Sequence, residues 1–147
     1  SEIVYDLYTG TGTIAIFLAN YCKKVIGIDS VYDAIQSAKE NIIQNKIKNV
    51  FFELGEMKNI FNNDFIERNG KADVVIVDPP RDGMHKNVVK ELINLSPKKI
   101  VYVSCNSSTQ ARDLKLLKSN YSLLKSKAID MFPHTQHIEN VVLLEKI

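Results

Sequence analysis

A cysteine stands where an apolar run meets a polar loop. In "VYVSCNSST" the strand-like residues end directly before Cys105, and small polar residues follow it. Free cysteine is among the most buried residue types, so a small core thiol is one interpretation. The other is a nucleophile, because a thiolate attacks electrophilic carbon and can also leave again. The residue type alone leaves both interpretations open.

Two further loops carry groups that could take part in chemistry. "VDPPRDG" places Asp78 at the end of an apolar run, before two prolines that cannot continue a strand. "DMFPHTQHIEN" gathers His134, His137 and Glu139 just before the last apolar run. A carboxylate is costly to bury unless it is paired, so the position of Asp78 indicates a function. We expect these two loops and the Cys105 loop to lie on one edge of a sheet.

A glycine-rich turn, "DLYTGTGT", follows the first apolar run. Gly10 and Gly12 allow a tight turn and the close approach of a ligand, and the next helix offers free N–H groups. Asp29 ends the second run, where a carboxylate can bind both hydroxyls of a ribose. The pattern fits a dinucleotide as well as S-adenosylmethionine. Glu56 is either an acceptor for an adenine amino group or a solvated surface glutamate.

These groups require a scaffold in which strands and helices alternate. Strands are predicted at "EIVYDLY", "KVIGID", "NVFFEL", "ADVVIVD" and "KKIVYVS", with helices over 13–21, 30–46, 57–70, 86–95 and 108–119. This alternation predicts an α/β fold with a parallel, doubly wound sheet that binds ligands at the carboxyl ends of its strands. Two last strands, "YSLLKSKAIDMF" and "NVVLLEKI", have no helix between them and should pair antiparallel at one edge. Ser30 is the expected N-cap of the second helix.

The composition is that of a globular protein. The 147 residues are 45% hydrophobic and 24% charged, which predicts a single domain over residues 1–147. No apolar run approaches the roughly 20 residues of a membrane span, and the start does not resemble a signal peptide. With two cysteines and no Cys/His cluster, we expect no metal site and a cytoplasmic location. Cys22, near the start of the second strand, is predicted to be structural.

The charge distribution indicates an anionic partner only weakly. Residues 1–70 hold 7 Lys and Arg against 9 Asp and Glu, whereas residues 71–147 hold 12 against 8. Solvated lysines are the ordinary explanation of such an excess. Arg81 and Arg112 are candidates for phosphate contacts, because the arginine fork matches a phosphate well, or for structural ion pairs.

Four motifs together carry a resemblance to a known family. "DLYTGTGT", "DPPRDG", "VYVSCNSSTQARDL" and "DMFPHTQHIENVVLL" resemble the catalytic domain of the RNA uracil-5-methyltransferases, which make 5-methyluridine in tRNA and rRNA. The resemblance covers nearly all of the chain, and the cysteine and glutamate motifs are its most specific part. It implies the Rossmann-like fold of class I S-adenosylmethionine-dependent methyltransferases, with a mostly parallel seven-stranded sheet and an antiparallel edge pair. It also implies an RNA substrate.

The resemblance assigns roles to residues of this sequence. Cys105 would be the nucleophile that adds to carbon 6 of uracil, and Glu139 the base that removes the carbon 5 proton. The uridine would be flipped into the pocket. The residues expected to bind S-adenosylmethionine are Asp6, Tyr8, Gly10, Gly12, Asp29, Glu56 and Asp78.

Two other functions share part of this sequence pattern. A module that binds cofactor or RNA without turnover would keep the same motifs. A nicotinamide dehydrogenase is disfavoured, because no residues suggest a hydride-transfer site. His134 and His137 are expected to shape their loop or contact RNA rather than catalyse.

Overall fold

One seven-stranded sheet organises the molecule. The computed structural model describes residues 2–131, 133–135 and 138–147. The elements in chain order are β1 (Ile3–Leu7), α1 (Thr13–Leu18), β2 (Lys24–Asp29), α2 (Tyr32–Gln44), β3 (Val50–Leu54), α3 (Met57–Ile60), α4 (Asn63–Asn69), β4 (Val74–Val77), α5 (Lys86–Leu95), β5 (Lys99–Ser104), α6 (Ser107–Leu117), β6 (Tyr121–Ile129) and β7 (Glu139–Lys146).

The strand order is β3-β2-β1-β4-β5-β7-β6. β1 to β5 are parallel to one another, whereas β7 lies antiparallel between β5 and β6. This confirms the predicted α/β sheet with an antiparallel edge pair. Strands β2 and β3 are added on one side of β1, and β4 and β5 on the other. Such a switch point in the strand order leaves a crevice at the carboxyl ends of the strands.

The two faces of the sheet form two hydrophobic clusters. One face packs Tyr5 and Leu7 of β1 against apolar residues of α3, α4, α5 and α6. The opposite face packs Val4 and neighbouring strand residues against Ala15 of α1 and Ile35 of α2. Alternate residues of β1 therefore serve different clusters, as the period of two in a strand requires.

Several boundaries differ from the sequence-based expectation. The helix expected over 57–70 is two helices, because the Asn62 side chain accepts the N–H of Phe65 and starts a new helix. Ser30 is not the cap of α2; Val31 occupies the N-cap position and donates its N–H to Asp29. α1 and β6 end earlier than expected, at Leu18 and Ile129.

Among the described residues, no helix combines the length and apolar character needed to cross a membrane. Within the same part of the chain, no group of His, Cys, Asp or Glu could hold a metal ion.

Candidate active site

The turn after β1 depends on backbone conformations that favour glycine. Gly10 and Gly12 have φ of 56° and 79°. A Cβ on Gly12 would lie 2.5 Å from a ring carbon of Phe52, whereas a Cβ on Gly10 would meet nothing within 4 Å. Gly12 is therefore required by packing as well as by conformation. Tyr8 also has a positive φ, 65°, which is unusual for a bulky residue and is often found at functional sites.

Asp29 holds this turn from the end of β2. Its Oδ2 accepts the N–H of Gly10 at 2.8 Å, and its Oδ1 accepts the N–H of Val31 at 2.9 Å. Two backbone amides thus fix the orientation of the carboxylate. A carboxylate has about four lone-pair sites, so it retains acceptors for the hydroxyls of a ligand.

A cleft of about 430 Å³ opens beside this turn. The expected residues among those lining it are Tyr8, Asp29, Glu56 and Asp78. Burial raises the pKa of Tyr8 to about 12, so its hydroxyl stays protonated and can donate to a ligand. Glu56 is exposed at the rim of the cleft.

Sequence reasoning missed several residues of this cleft. These are Ser30, Val31, Met57, Lys58, Pro80, Gly83 and His85. The position of His85 could have been noticed in the sequence, because it immediately precedes the predicted helix over 86–95 and is therefore a candidate N-cap. It is the N-cap of that helix, and its Nδ1 accepts the N–H of Asn87 at 3.2 Å.

Asp6 is a buried carboxyl beneath the cleft. Its side chain is 1% exposed, and its Oδ2 accepts the Thr9 hydroxyl at 2.5 Å. No donor among the described residues makes a hydrogen bond to Oδ1. Burial raises the pKa of Asp6 to about 6, opposed by Thr9 and the Ala15 amide, and the charges of Asp78 and Asp29 add to the rise. Asp6 does not line the cleft, but it lies close enough to Asp78 and Asp29, which do, for their charges to act on its carboxyl.

Asp78 joins this cleft to a second one. The second cleft, of about 260 Å³, is lined by Asp78, Val103, Ile129, Met131, Glu139 and Val141. Asp78 is exposed rather than buried, contrary to expectation, but the surrounding protein still desolvates its carboxyl. This desolvation raises the pKa of Asp78 to about 6, and the negative charge of Glu139 adds to the effect. The two clefts therefore share one acidic residue.

Cys105 lies in the short link between β5 and α6. It is half-buried and has no disulfide partner. The Ser104 hydroxyl accepts the N–H of Asn106 and donates to the Asn106 carbonyl, both at 3.0 Å. Asn106 then caps α6 by accepting the N–H of Ser108 at 3.1 Å. The residues on both sides of the cysteine are thus fixed by hydrogen bonds.

The strand register places Glu139 next to the cysteine. Ser104 of β5 is paired with Asn140 of β7. Because that pairing is antiparallel, Cys105 directly follows Ser104 and Glu139 directly precedes Asn140 at the same end of the ladder. The sheet therefore brings together two residues that lie 34 positions apart in the sequence.

The "DPPRDG" loop is attached to the same helix. Asn106 and Thr109 both donate to the carbonyl of Arg81, at 3.1 and 2.9 Å. Arg112 donates to the carbonyl of Asp82 at 2.8 Å and pairs with the buried carboxylate of Asp113 at 2.9 Å. These contacts support the role of Arg112 as a structural ion-pair partner.

The remaining candidates lie apart from these clefts or outside the description. His134 is exposed in the loop before β7, with a φ of 78°. His137 lies outside the described residues. Cys22 is half-buried before β2, at the amino edge of the sheet, where it packs against the second hydrophobic cluster.

Strand order, glycine turn and crevice together define a class I methyltransferase fold. An rRNA methylase from Streptococcus thermophilus has this fold, with a TM-score of 0.78 over 100% of this chain and 87% of that chain, at 15% identity. A tRNA (uracil-54, C5)-methyltransferase from Pyrococcus abyssi, solved with S-adenosyl-L-homocysteine, gives a TM-score of 0.86 at 41% identity over 98% of this chain and 34% of that chain.

The family model of the tRNA (uracil-5-)-methyltransferases matches residues 2–147. The chain therefore belongs to the tRNA (uracil-5-)-methyltransferase family. It is 57% identical over 145 residues to an uncharacterized RNA methyltransferase of Porphyromonas gingivalis, covering 97% of this chain and 31% of that protein. The chain thus spans about a third of the length of the relatives it matches.

Proposed function

We propose that the protein containing this chain transfers a methyl group from S-adenosylmethionine to carbon 5 of a uridine in tRNA or rRNA. The proposal includes a covalent bond between Cys105 and the uracil ring. The observation that carries it is the β5–β7 register, whose last pair, Ser104 with Asn140, lies directly next to Cys105 and Glu139, while Glu139 and Asp78 line one cleft. The two free cysteines are consistent with a reducing, cytoplasmic location.

The glycine-turn cleft fits a cationic nucleoside cofactor. Asp29 would bind the ribose hydroxyls, and the exposed Glu56 at the rim would accept from the adenine amino group. Asp78 supplies a carboxyl to this cleft, and desolvation by burial raises the pKa values of Asp78 and of nearby Asp6 to about 6. S-Adenosylmethionine carries a sulfonium and an ammonium group, either of which would favour the charged carboxylates.

The second cleft fits a flipped pyrimidine. It combines apolar side chains with two carboxyls, and so offers both a surface for a ring and acceptors for its polar edge. The thiolate of Cys105 would add to carbon 6, which moves an electron pair onto the ring and makes carbon 5 nucleophilic. The cofactor supplies the methyl group that carbon 5 takes up.

Glu139 would complete the reaction as the base. Its carboxylate would remove the proton from carbon 5, and the electron pair of that C–H bond would restore the ring double bond and expel the Cys105 thiolate. The nucleophile and the base therefore act on neighbouring ring carbons. Their positions at the same end of the β5–β7 ladder support this division of roles.

A methylation assay with the full-length protein tests the proposal. We expect transfer of label from S-adenosylmethionine to unmodified tRNA or rRNA transcripts, and loss of transfer in Cys105→Ala. Cys22→Ala is the matched control, because it removes the other thiol at the far edge of the sheet. Cofactor binding without methyl transfer in the wild-type protein would instead favour a module that binds without turnover.

Transcripts containing 5-fluorouridine test the covalent step. Fluorine at carbon 5 cannot be removed as a proton, so the adduct should be trapped and survive denaturation. Cys105→Ala should abolish the adduct and Cys22→Ala should retain it. Loss of the adduct in Cys22→Ala alone would show that the nucleophile is misassigned.

A further inference from the structure

A pair of side-chain amides connects α6 to β7 beside the site. Gln110 of α6 is 1% exposed. Its Nε2 donates to the carbonyl of Tyr102 at 3.0 Å and to the carbonyl of Asn140 at 3.1 Å. Its Oε1 accepts from Nδ2 of Asn140 at 2.7 Å. One buried amide thereby connects α6 to both β5 and β7.

Asn140 extends the connection to the edge strand. Its Oδ1 accepts the hydroxyl of Ser126 in β6 at 3.1 Å. Buried amides are unfavourable unless their hydrogen bonds are made, and this arrangement uses both N–H groups and the oxygen of Gln110. A fully satisfied buried network favours one geometry over its alternatives.

The two amides stand next to the two reactive residues. Asn140 directly follows Glu139, and its partner across the sheet is Ser104, which directly precedes Cys105. Gln110 lies in the helix that begins two residues after Cys105. A displacement of β7 along β5 would therefore break the amide pair and move Glu139 away from Cys105.

Backbone pairing over six positions sets the register of β5 against β7, and the side chains along it are mostly apolar. On the face that packs against α6, the next pairs along the ladder are Tyr102 with Val142 and Ile100 with Leu144. Apolar contacts are non-directional and tolerate small shifts. The amide pair is a directional contact at the end of the ladder that carries the chemistry.

We propose that Gln110 and Asn140 are a positioning pair that holds the base, Glu139, in register with the nucleophile, Cys105. The inference rests on the proposed function. It assigns no contact with substrate to either amide. Its consequence is kinetic: the pair should matter most for removal of the carbon 5 proton, the step in which both reactive residues must act on one ring.

Gln110→Met in the full-length protein tests this role, because methionine preserves length and volume but removes every amide hydrogen bond. We expect the covalent complex to form, and its release as methylated RNA in a single turnover to slow by about 10- to 100-fold, as expected for a misplaced catalytic group. The KM for S-adenosylmethionine should not change. Asn140→Ser, a milder change at a half-buried position, should slow release in the same direction.

Tyr121→Phe is the matched control for general destabilisation. It also removes a buried side-chain hydrogen bond, from the Tyr121 hydroxyl to the carbonyl of Pro97 at 3.0 Å, but at the opposite end of the β5–β7 ladder. It should lower the melting temperature and leave the release rate unchanged. Equal release rates in Gln110→Met and Tyr121→Phe would overturn the positioning role.

An exchange of the two amides gives an independent readout. Gln110→Asn shortens one side chain and Asn140→Gln lengthens the other, so each alone should slow release. Together they conserve the combined length and retain both amide groups, so the double variant should release product faster than either single variant. A double variant no faster than the single ones would contradict the proposal. Wild-type protein that forms neither adduct nor 5-methyluridine would instead refute the proposed function, and the positioning role with it.

Discussion

Asp29 combines a structural and a proposed binding role in one carboxylate. It holds the N–H groups of Gly10 and Val31, and it lines the cleft where a ribose would bind. Asp29→Ala should weaken binding of S-adenosylhomocysteine by about 1–3 kcal/mol, because the Gly10 and Val31 N–H groups and the ribose hydroxyls lose their acceptor. Titration calorimetry measures this directly. Asp33→Ala, an exposed carboxylate in the first turn of α2, is the control and should bind normally.

The identity of the cofactor can be checked on the same protein. The carboxylate and the glycine turn alone would also suit a dinucleotide. Tighter binding of a nicotinamide dinucleotide than of S-adenosylhomocysteine would contradict the assignment of this cleft.

Glu139 is proposed to act late in the reaction, and this timing distinguishes a base from a binding residue. Glu139→Gln should leave thiolate addition and methylation intact and block release, so RNA should accumulate as a methylated covalent complex. Mass spectrometry of the trapped species gives its composition. Free, fully methylated RNA produced at the normal rate would remove Glu139 from the mechanism, whereas poor adduct formation would indicate a residue that positions RNA.

The turn between β1 and α1 is the element on which the cofactor cleft depends. Gly12→Ala should destabilise the protein by about 1–3 kcal/mol more than Gly10→Ala, the cost of an overpacked contact. Both residues have positive φ, so the difference isolates the contact of the added methyl group with Phe52. Urea denaturation of the two variants measures it. Equal destabilisation would show that Phe52 moves aside freely.

Stability of the whole molecule should depend on pH through Asp6. Its pKa in the folded protein is about 6, against the usual 3.8, so the folded state retains a proton that the unfolded state loses. The free energy of unfolding should therefore fall as pH rises from about 4 to about 6, by roughly 3 kcal/mol for a shift of this size. Denaturation at a series of pH values, without cofactor, measures the fall.

Asp6→Asn is the informative variant for this pH dependence. It retains an oxygen for the Thr9 hydroxyl and removes the titration of Asp6, so the fall in stability between pH 4 and 6 should become smaller, with Asp78 contributing the remainder. An unchanged curve would assign the pH dependence to other groups. Because cation binding favours the charged carboxylate, S-adenosylhomocysteine, whose amino group is cationic, should stabilise the wild-type protein more at pH 7 than at pH 5.

We also propose that residues 1–147 fold as one domain. The sheet joins every strand of the described chain, and both hydrophobic clusters draw on several strands and helices. A single cooperative transition, with circular dichroism and fluorescence coinciding, is expected for the isolated segment. Separate transitions would indicate that the segment depends on other parts of the protein.

The sequence by itself determined the features that depend on neighbouring residues. Alternation of apolar strands with helices is a local pattern, and it predicted the parallel strands and the antiparallel pair. The glycine turn with Asp29 at the next strand end is equally local, because both lie at carboxyl ends of parallel strands. The motifs around Cys105 and Glu139 indicated the family, which the match over residues 2–147 confirmed.

Tertiary structure decided what depends on distant pairings. The Asn62 cap that divides the helix expected over 57–70 was within reach of local reasoning. The amide contact between Gln110 and Asn140 was not, because it joins residues 30 positions apart. Nor could sequence show that Asp78 faces two clefts or that β7 inserts between β5 and β6. Such features arise from the packing of whole elements, whose free energy is shared among many weak contacts and leaves no signal in any short stretch of sequence.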